Sequence, residues 1–547
     1  MQMTLSLKAE REPEHRFDNL FGLIRNMDWL QMAHDNVAAN AGSKTAGCDG
    51  INMADFDGDL EGSLKRLQES LTSGTFVACP VRRVYIPKAG GKVRPLGIPS
   101  ICDRIVQEAI RMVLEPIYEA DFRQPSYGFR PGRCTMDAIK HILWYTHDKK
   151  KYHWVIEGDI ASYFDTINHQ KLMQLLRRRI KDGRFLDLIW GFLRAGIMER
   201  KLFKDTQLGT PQGGVISPLL ANVSLHELDK CMERYTALST PEKAARRKQG
   251  RANFTFVRYA DDWVILSNGT KEQTEGMRQE VSDFLSSTLH LSLSSEKTKI
   301  THVNDGFDFL GFHIHRCMGQ EGVTTKVLVP KKALEKHLSK IKEATAPSTH
   351  KDSMVTKVLA LNRIIAGWCR YYQYASNTSV PFGDMENQAF WRMAHWLARK
   401  HRLSIPAILR LRRIGEPPGS VLNVLKKHTA HKSKRYKGRF VKPNPYTTKQ
   451  ELEREELLDE NPWLGQESSD RLGMADRRRI VIERDEFRCQ MCHEPVSYMS
   501  ARVDHKRTVA SYKNAEDAHR MENLWALCGE CHKRKTENDR QMESRMR

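Results

Sequence analysis

Two adjacent carboxylates, Asp261 and Asp262, stand between two apolar runs, Phe254-Thr255-Phe256-Val257 and Trp263-Val264-Ile265-Leu266. Runs of that length, rich in β-branched and aromatic residues, predict two strands joined by a tight hairpin with the carboxylates at its tip. Two like charges in apolar company are costly unless cations neutralise them. Taken alone, Ala-Asp-Asp also fits a solvated turn. A second segment argues against that: Trp154-Val155-Ile156-Glu157-Gly158-Asp159-Ile160 predicts another short buried strand, ending on Asp159 and followed by Tyr163-Phe164. Carboxylates from two separate strands can clamp a pair of Mg²⁺ ions about 3.5–4 Å apart around one in-line phosphoryl transfer. A few carboxylates plus substrate phosphates satisfy Mg²⁺.

A second chemical set lies near the carboxyl end. Cys489-x-x-Cys492 and Cys528-x-x-Cys531 have the spacing to close a tetrahedral Cys₄ zinc site that pins two turns together. Asp504-His505 and Asn523 fall between the pairs, and His532 follows the last cysteine. The cysteine pairs alone fit a non-catalytic zinc ribbon equally well.

The elements around these residues set the bounds. With 547 residues the chain has material for several domains and real cores. A formal charge of +21 and a pI of about 9.4 suit a protein that sits on polyanions, although charge alone also fits a merely soluble basic enzyme. The amino terminus has no apolar core of signal-peptide length, and no run of about 18 apolar residues is present, so no membrane partner is expected. A cytoplasmic or nucleic-acid-associated protein follows. Of eleven cysteines, seven are scattered singly, as reduced thiols are.

Residues 14–75 predict helices interrupted by a loop at Gly42 to Asp49. Val84–Pro87 and Val93–Leu96 predict strands flanking a basic glycine turn, and Asp103–Tyr118 an amphipathic helix with Ile105, Ala109, Met112 and Val113 on one face. Tyr127-Gly128-Phe129-Arg130-Pro131-Gly132-Arg133 is a basic loop. From Lys331 to about Arg413 the pattern is helical and basic. Residues 401–450 hold thirteen Lys or Arg against one acid, Glu416, a density that fits a disordered tail or a nucleic-acid contact. Glu451–Glu460 then turns acidic and predicts a linker.

Five ordered blocks carry a resemblance. Tyr259-Ala260-Asp261-Asp262 resembles the Y-x-D-D box of reverse transcriptases, and Asp159-Ile160-Ala161-Ser162-Tyr163-Phe164 their first catalytic-aspartate block. Thr210-Pro211-Gln212-Gly213-Gly214-Val215-Ile216-Ser217-Pro218 resembles the block that closes over the incoming nucleotide. Arg94-Pro95-Leu96-Gly97-Ile98-Pro99 and Phe309-Leu310-Gly311-Phe312 resemble flanking blocks in the same order. Together they resemble the reverse transcriptase of a group II intron-encoded protein, and the carboxyl-terminal pattern resembles an HNH nuclease.

The resemblance implies an α+β right-hand polymerase with a helical thumb and a small ββα-metal module. Fingers and palm would cover residues 1–325, the thumb or maturase domain 326–425, a basic DNA-binding segment and linker 426–475, and the nuclease 476–547. It implies catalytic roles for Asp159, Asp261 and Asp262, with Mg²⁺ at Asp159, Ile160 and Asp261. Lys88, Lys92 and Arg94 would face triphosphate or template, Phe164 would screen the sugar 2′ position, and Gln212 and Gly213 would approach the primer–template. In the nuclease, His505 would be the general base, Asp504 and His532 would hold a divalent metal, and Asn523 would orient the His505 loop. Implied partners are group II intron RNA, target DNA and deoxynucleoside triphosphates, in a bacterial-type cytoplasmic or nucleoid setting. An RNA-binding splicing maturase with decayed polymerase activity is the alternative, and the intact Asp159, Asp261 and Asp262 argue against it. A reverse transcriptase serving defence or another non-mobile role is a third reading, which the thumb and nuclease tail disfavour.

Overall fold

The computed structural model describes residues 1–87, 93–199, 202–204, 209, 213–319, 322–438 and 441–448, and in the carboxyl-terminal module 481–482, 484–485, 487–496, 501–507 and 523–546. The chain begins with helices α1 (Gln2–Arg11), α2 (Met27–Ala38) and α3 (Leu60–Ser73). Strands β1 (Val81–Pro87) and β2 (Val93–Ile98) form an antiparallel ribbon, extended on the β1 side by Ile197–Glu199. Helices α4 (Ile101–Asp121) and α5 (Thr135–Thr146) lead to β3 (Trp154–Gly158). After α6 (Ser217–Thr236) come β4 (Phe254–Tyr259), β5 (Asp262–Ser267) and β6 (Lys299–His302).

The sheet that carries the aspartates has the order β4-β5-β3-β6, antiparallel throughout. Its central strands are buried on both faces, and the alternation of side chains divides them between two cores. Ile156, Phe256, Trp263 and Ile265 join the core shared with α1 to α4, whereas Val155, Val257, Val264 and Leu266 join the core shared with the helices that follow. Gly158 is required by this packing, because a Cβ there would lie 2.2 Å from the Trp263 ring.

Helix α4 departs from the amphipathic expectation. It begins and ends beyond Asp103–Tyr118 and is buried around most of its circumference, polar residues included. Helices α1 and α2 cover what would otherwise be its solvent side. Two of its buried polar side chains find partners inside the fold: Arg104 donates to the carbonyls of Gly42, Thr45 and Pro99, and Gln107 accepts from the Val215 N–H. The amino terminus, which showed only the lack of an apolar leader pattern, is here a helix docked on α4.

A second sheet of β7 (Phe307–Phe309), β8 (Phe312–Gly319) and β9 (Gly322–Leu328) follows. Helices α7 (Lys331–Ala344), α8 (Met354–Tyr372), α9 (Ser379–His401) and α10 (Ile405–Ile414) form the helical region expected there. The aromatic cluster at the end of α8 faces inward. Trp368 stacks on His337 at 4.4 Å, and the Tyr371 and Tyr372 hydroxyls donate to the carbonyls of Leu310 and Gly311. No helix among the described residues is long and apolar enough to cross a membrane.

The last module pairs β10 (Arg502–His505) antiparallel with β11 (Leu524–Leu527) and continues into α11 (Gly529–Met546), a ββα order. Among the described residues its core is Val481, Ile482, Val496, Ala501, Leu524, Ala526 and Leu527 with Cys489 and Cys531.

Candidate functional site

The β4–β5 register ends on Tyr259 opposite Asp262, so Ala260 and Asp261 are the two residues of the turn, with Asp262 opening β5. Ala260 stands at φ +58, in the left-handed region that such turns need. Because Gly158 pairs with Trp263 in the adjacent β3–β5 ladder, the next residue, Asp159, emerges beside Asp262. The strands therefore bring Asp159, Asp261 and Asp262 to one end of the sheet.

The electrostatics agree. Burial, then the like charges of Asp261 and Asp159, push Asp262 up to about 6, even though its outer surface is exposed. Burial and the charge of Asp159 also raise Asp261. Lys297 and Arg94 oppose both shifts. Lys297 Nζ lies 2.8 Å from Asp159 Oδ2, and the Ser294 N–H donates to the Asp159 carbonyl. Asp261 and Asp262, both raised beside the charge of Asp159, lack compensating positive charge, so the donor set fits a divalent cation. Ile160 has only its backbone carbonyl to offer, its side chain being buried.

What fixes this turn was not read from the sequence. Arg258, 0 % exposed, makes a bidentate pair with Asp229 at 2.7 and 2.6 Å and also donates to Asn222 Oδ1 and the Ala260 carbonyl. Against burial, Arg258 holds Asp229 down at about 2. Asn222 in turn donates to the Gly128 carbonyl, and a Cβ on Gly128 would lie 2.3 Å from the Ala260 nitrogen. One signal was available: an arginine inside an otherwise apolar strand must find a buried anion.

The other predicted residues divide. Arg94 is exposed on β2 and bears electrostatically on Asp261 and Asp262. Phe164 is half-buried at the edge of the first core, its ring 5.6 Å from that of Tyr163. Gly213 stands at φ +114 with the Gly97 carbonyl 2.6 Å from where a Cβ would be, so the close approach seen there is to the end of β2. Lys88, Lys92 and Gln212 lie outside the described residues. In the basic loop, Arg130 and Arg133 turn inward to Glu119 and the Gln124 carbonyl, leaving Phe129 exposed at φ +57.

In the last module the four cysteine sulfurs lie within 4.8 Å of one another, with Cys492 and Cys528 3.7 Å apart. Tetrahedral thiolates about 2.3 Å from a zinc ion stand close to that separation, so the cluster fits zinc. Burial opposes the Cys489 thiolate, but backbone hydrogen bonds at Cys492, Cys528 and Met491 outweigh it and hold that thiol at about 6. Asp504 and His505 end β10, where the His505 N–H donates to Asp504 Oδ1. Lys535 Nζ lies 3.1 Å from Asp504 Oδ2 and sits one turn after His532 on α11, so Asp504 faces the helical stretch that carries His532. Asn523 accepts from the Arg507 N–H and donates to the Arg507 carbonyl, bracing the backbone just after His505.

A two-sided sheet with three aspartates at one end, followed by a helical bundle and a ββα module with a four-cysteine cluster, defines a nucleic-acid polymerase joined to a small nuclease module. Comparison with known proteins narrows the class. The reverse transcriptase (RNA-dependent DNA polymerase) family matches residues 86–314, the group II intron maturase-specific domain residues 334–414, and the HNH endonuclease family residues 489–538. Protein YkfC of Escherichia coli is 42% identical over 340 residues, covering 59% of this chain and 89% of that protein. Group II intron-encoded protein LtrA of Lactococcus lactis is 36% identical over 360 residues, 57% of this chain and 59% of LtrA. Nuclear intron maturase 1 of Arabidopsis thaliana is 25% identical over 397 residues, 56% of this chain and 55% of that protein. The chain belongs to the group II intron-encoded proteins, multifunctional enzymes that join an RNA-directed DNA polymerase, a maturase domain and an HNH endonuclease.

Proposed function

We propose that this protein supports intron mobility by target-primed reverse transcription, with Asp159, Asp261 and Asp262 as the polymerase centre and His505 as the nuclease base. Fingers and palm would extend to about residue 325, the thumb to 425, a DNA-binding segment and linker to 475, and the nuclease to the end. The intron RNA is bound and helped to splice; the nuclease opens one strand of target DNA; the palm then extends the freed 3′ end with deoxynucleotides, using intron RNA as template.

The observation that carries the polymerase assignment is the strand register, which brings a carboxylate from β3 beside two from the β4–β5 hairpin. Asp159 and Asp261, with the Ile160 carbonyl, would hold magnesium, which when bound activates the primer hydroxyl and steadies the pyrophosphate leaving group. Asp262 completes the negative pocket. Arg94, with Lys88 and Lys92, steers the triphosphate to it; Phe164 screens the sugar, and Gln212 and Gly213 line the approach of the primer–template. In the nuclease, Asp504 and His532 would hold a divalent ion beside the scissile phosphate, while His505 takes a proton from water and Asn523 keeps its loop in place. Zinc at Cys489, Cys492, Cys528 and Cys531 is structural, since four thiolates leave no open position.

The test is Asp261→Asn. A neutral amide holds the cation poorly, so cDNA synthesis on an RNA template disappears while intron RNA binding survives. Primer extension by that variant overturns the assignment.

A further inference from the structure

Residues 431–438 and 441–448 belong to the basic stretch that the sequence marks only by its charge. They run as an extended strap out of the helical thumb and along the fingers and palm. On the thumb side the Lys434 N–H donates to the Gln373 carbonyl at 2.7 Å, Ser433 Oγ donates to the Ala375 carbonyl, and the Tyr436 ring meets Tyr374 edge-on. On the palm side the Tyr436 hydroxyl donates to Asp137 Oδ1 at 2.7 Å, and Lys140 donates to the Gly438 carbonyl.

The second half, Val441-Lys442-Pro443-Asn444-Pro445-Tyr446, alternates strictly. Val441, Pro443 and Pro445 are exposed, while Lys442, Asn444 and Tyr446 turn inward, each to a different helix. Lys442, 9 % exposed, pairs with Asp137 on α5 at 2.9 Å. Asn444 donates to Ser6 and Glu10 on α1, and Tyr446 donates to Glu115 on α4. Prolines at alternate positions fix an extended backbone before it docks, so little freedom remains to be lost when it does. Asp137, 3 % exposed, accepts from Tyr436, from Lys442 and from the Cys134 N–H, so withdrawing the strap strands a buried carboxylate.

We propose that this strap is a tether that keeps the thumb closed toward the palm, making Asp137, Tyr436 and Lys442 positioning residues for retention of the template–primer duplex. The inference rests on the polymerase reading given above. A duplex held between thumb and palm leaves when the two part, and parting them here requires the strap to leave Asp137 as well as the apolar core they share to open. Nucleotide addition at Asp261 does not require that step. The strap therefore governs how far synthesis runs per binding event and not how fast one nucleotide is added. The exposed cations among its described residues, Lys432, Lys434, Arg435 and Lys437, contribute through charge alone.

The test uses the full-length protein on a long RNA template with a supplied primer and an excess of trap template, so that each cDNA reports one binding event. The variant Tyr436→Phe/Lys442→Met keeps side-chain volume and removes the strap's two donors to Asp137, leaving the Cys134 N–H in place. Its cDNA run length falls about a hundredfold, roughly tenfold for each of the two charge-assisted hydrogen bonds removed. Addition of a single nucleotide to a preformed complex keeps the wild-type rate, and Lys442→Arg, which retains the charge, keeps wild-type run length. Unchanged run length in the double variant overturns the tether. Equal loss of run length and single addition also overturns it, since Asp137 then supports the palm itself. If wild-type protein adds no nucleotide at all, the polymerase reading fails instead, and the two failures are distinct.

Discussion

Around Asp261 the chain relies on side chains buried in a large core: Arg258 grips Asp229, Asn222 and the carbonyl of Ala260, and Gly128 closes the space behind the turn. Around Asp504 the same task falls, among the described residues, to a short β-pair, helix α11 and four thiols gathered within 4.8 Å, over a small apolar core. The palm has apolar area to spare and can bury a charged pair whose partners are already matched. The described part of the ββα module buries few apolar side chains, the situation in which small domains take a structural metal. Damage should therefore spread differently: loss of one ligand collapses the small module, whereas loss of one polar contact leaves the palm folded but misaligned.

The largest effect is expected from Cys528→Ser. Structural zinc contributes about 10–16 kcal/mol of apparent binding energy in small zinc modules, so losing a ligand should release the metal and unfold the module. Metal analysis and limited proteolysis check this: cleavage confined to the carboxyl-terminal module, with primer extension intact, is the expected pattern. Zinc retained at wild-type stoichiometry in a protease-resistant module breaks the contrast.

Next comes the palm. Asp229→Asn leaves Arg258 buried with a weakened partner, and breaking such a pair costs about 3–5 kcal/mol. The paired replacement Arg258→Met/Asp229→Leu should recover much of that stability in a urea melt, yet remain poor in cDNA synthesis, because nothing then holds the Ala260 carbonyl. Recovery of both stability and synthesis would make the pair a packing element only.

A smaller effect concerns the thumb, where His337 and His428 face each other through Nε2 atoms 2.9 Å apart in an apolar setting. Burial holds His337 down at about 3 and His428 at about 4. The unfolded chain binds protons first, so the thumb keeps its full stability above pH 6.5 and loses it as pH falls toward 4. The loss should be about 2 kcal/mol per imidazole at pH 5, seen as a falling urea midpoint. A midpoint independent of pH between 7 and 5 contradicts it. Smallest of all, Lys434→Ala/Arg435→Ala/Lys437→Ala should make the log–log salt dependence of DNA binding shallower by about 2–3, with little change in stability. An unchanged slope means these cations touch no phosphate.

The legible part of the molecule was the part written locally. The hairpin from Phe254 to Leu266, the strand ending on Asp159 and the Cys-x-x-Cys pairs follow from neighbours in sequence, and the structure forms each element where the residues predict it. What sequence order hides is pairing at a distance. Tyr436 meets Asp137 across 299 residues, so a run of lysines gave no hint of an anchored strap. Helix α4 read as amphipathic because its polar residues resemble a solvent face, while their partners come from loops and helices elsewhere. Arg258 was visible, but its anion lies on α6.

In this division of labour the nuclease creates the end that the palm extends. It is tested most directly by giving His505→Ala protein, loaded with intron RNA, two forms of the same target DNA. The expected outcome is no cDNA from the intact target and wild-type cDNA from a target already nicked at the cleavage position, with Asp261→Asn protein nicking the intact target and extending neither. Extension of intact DNA by the His505→Ala protein, or its failure on the nicked target, would contradict the division of labour between the two sites.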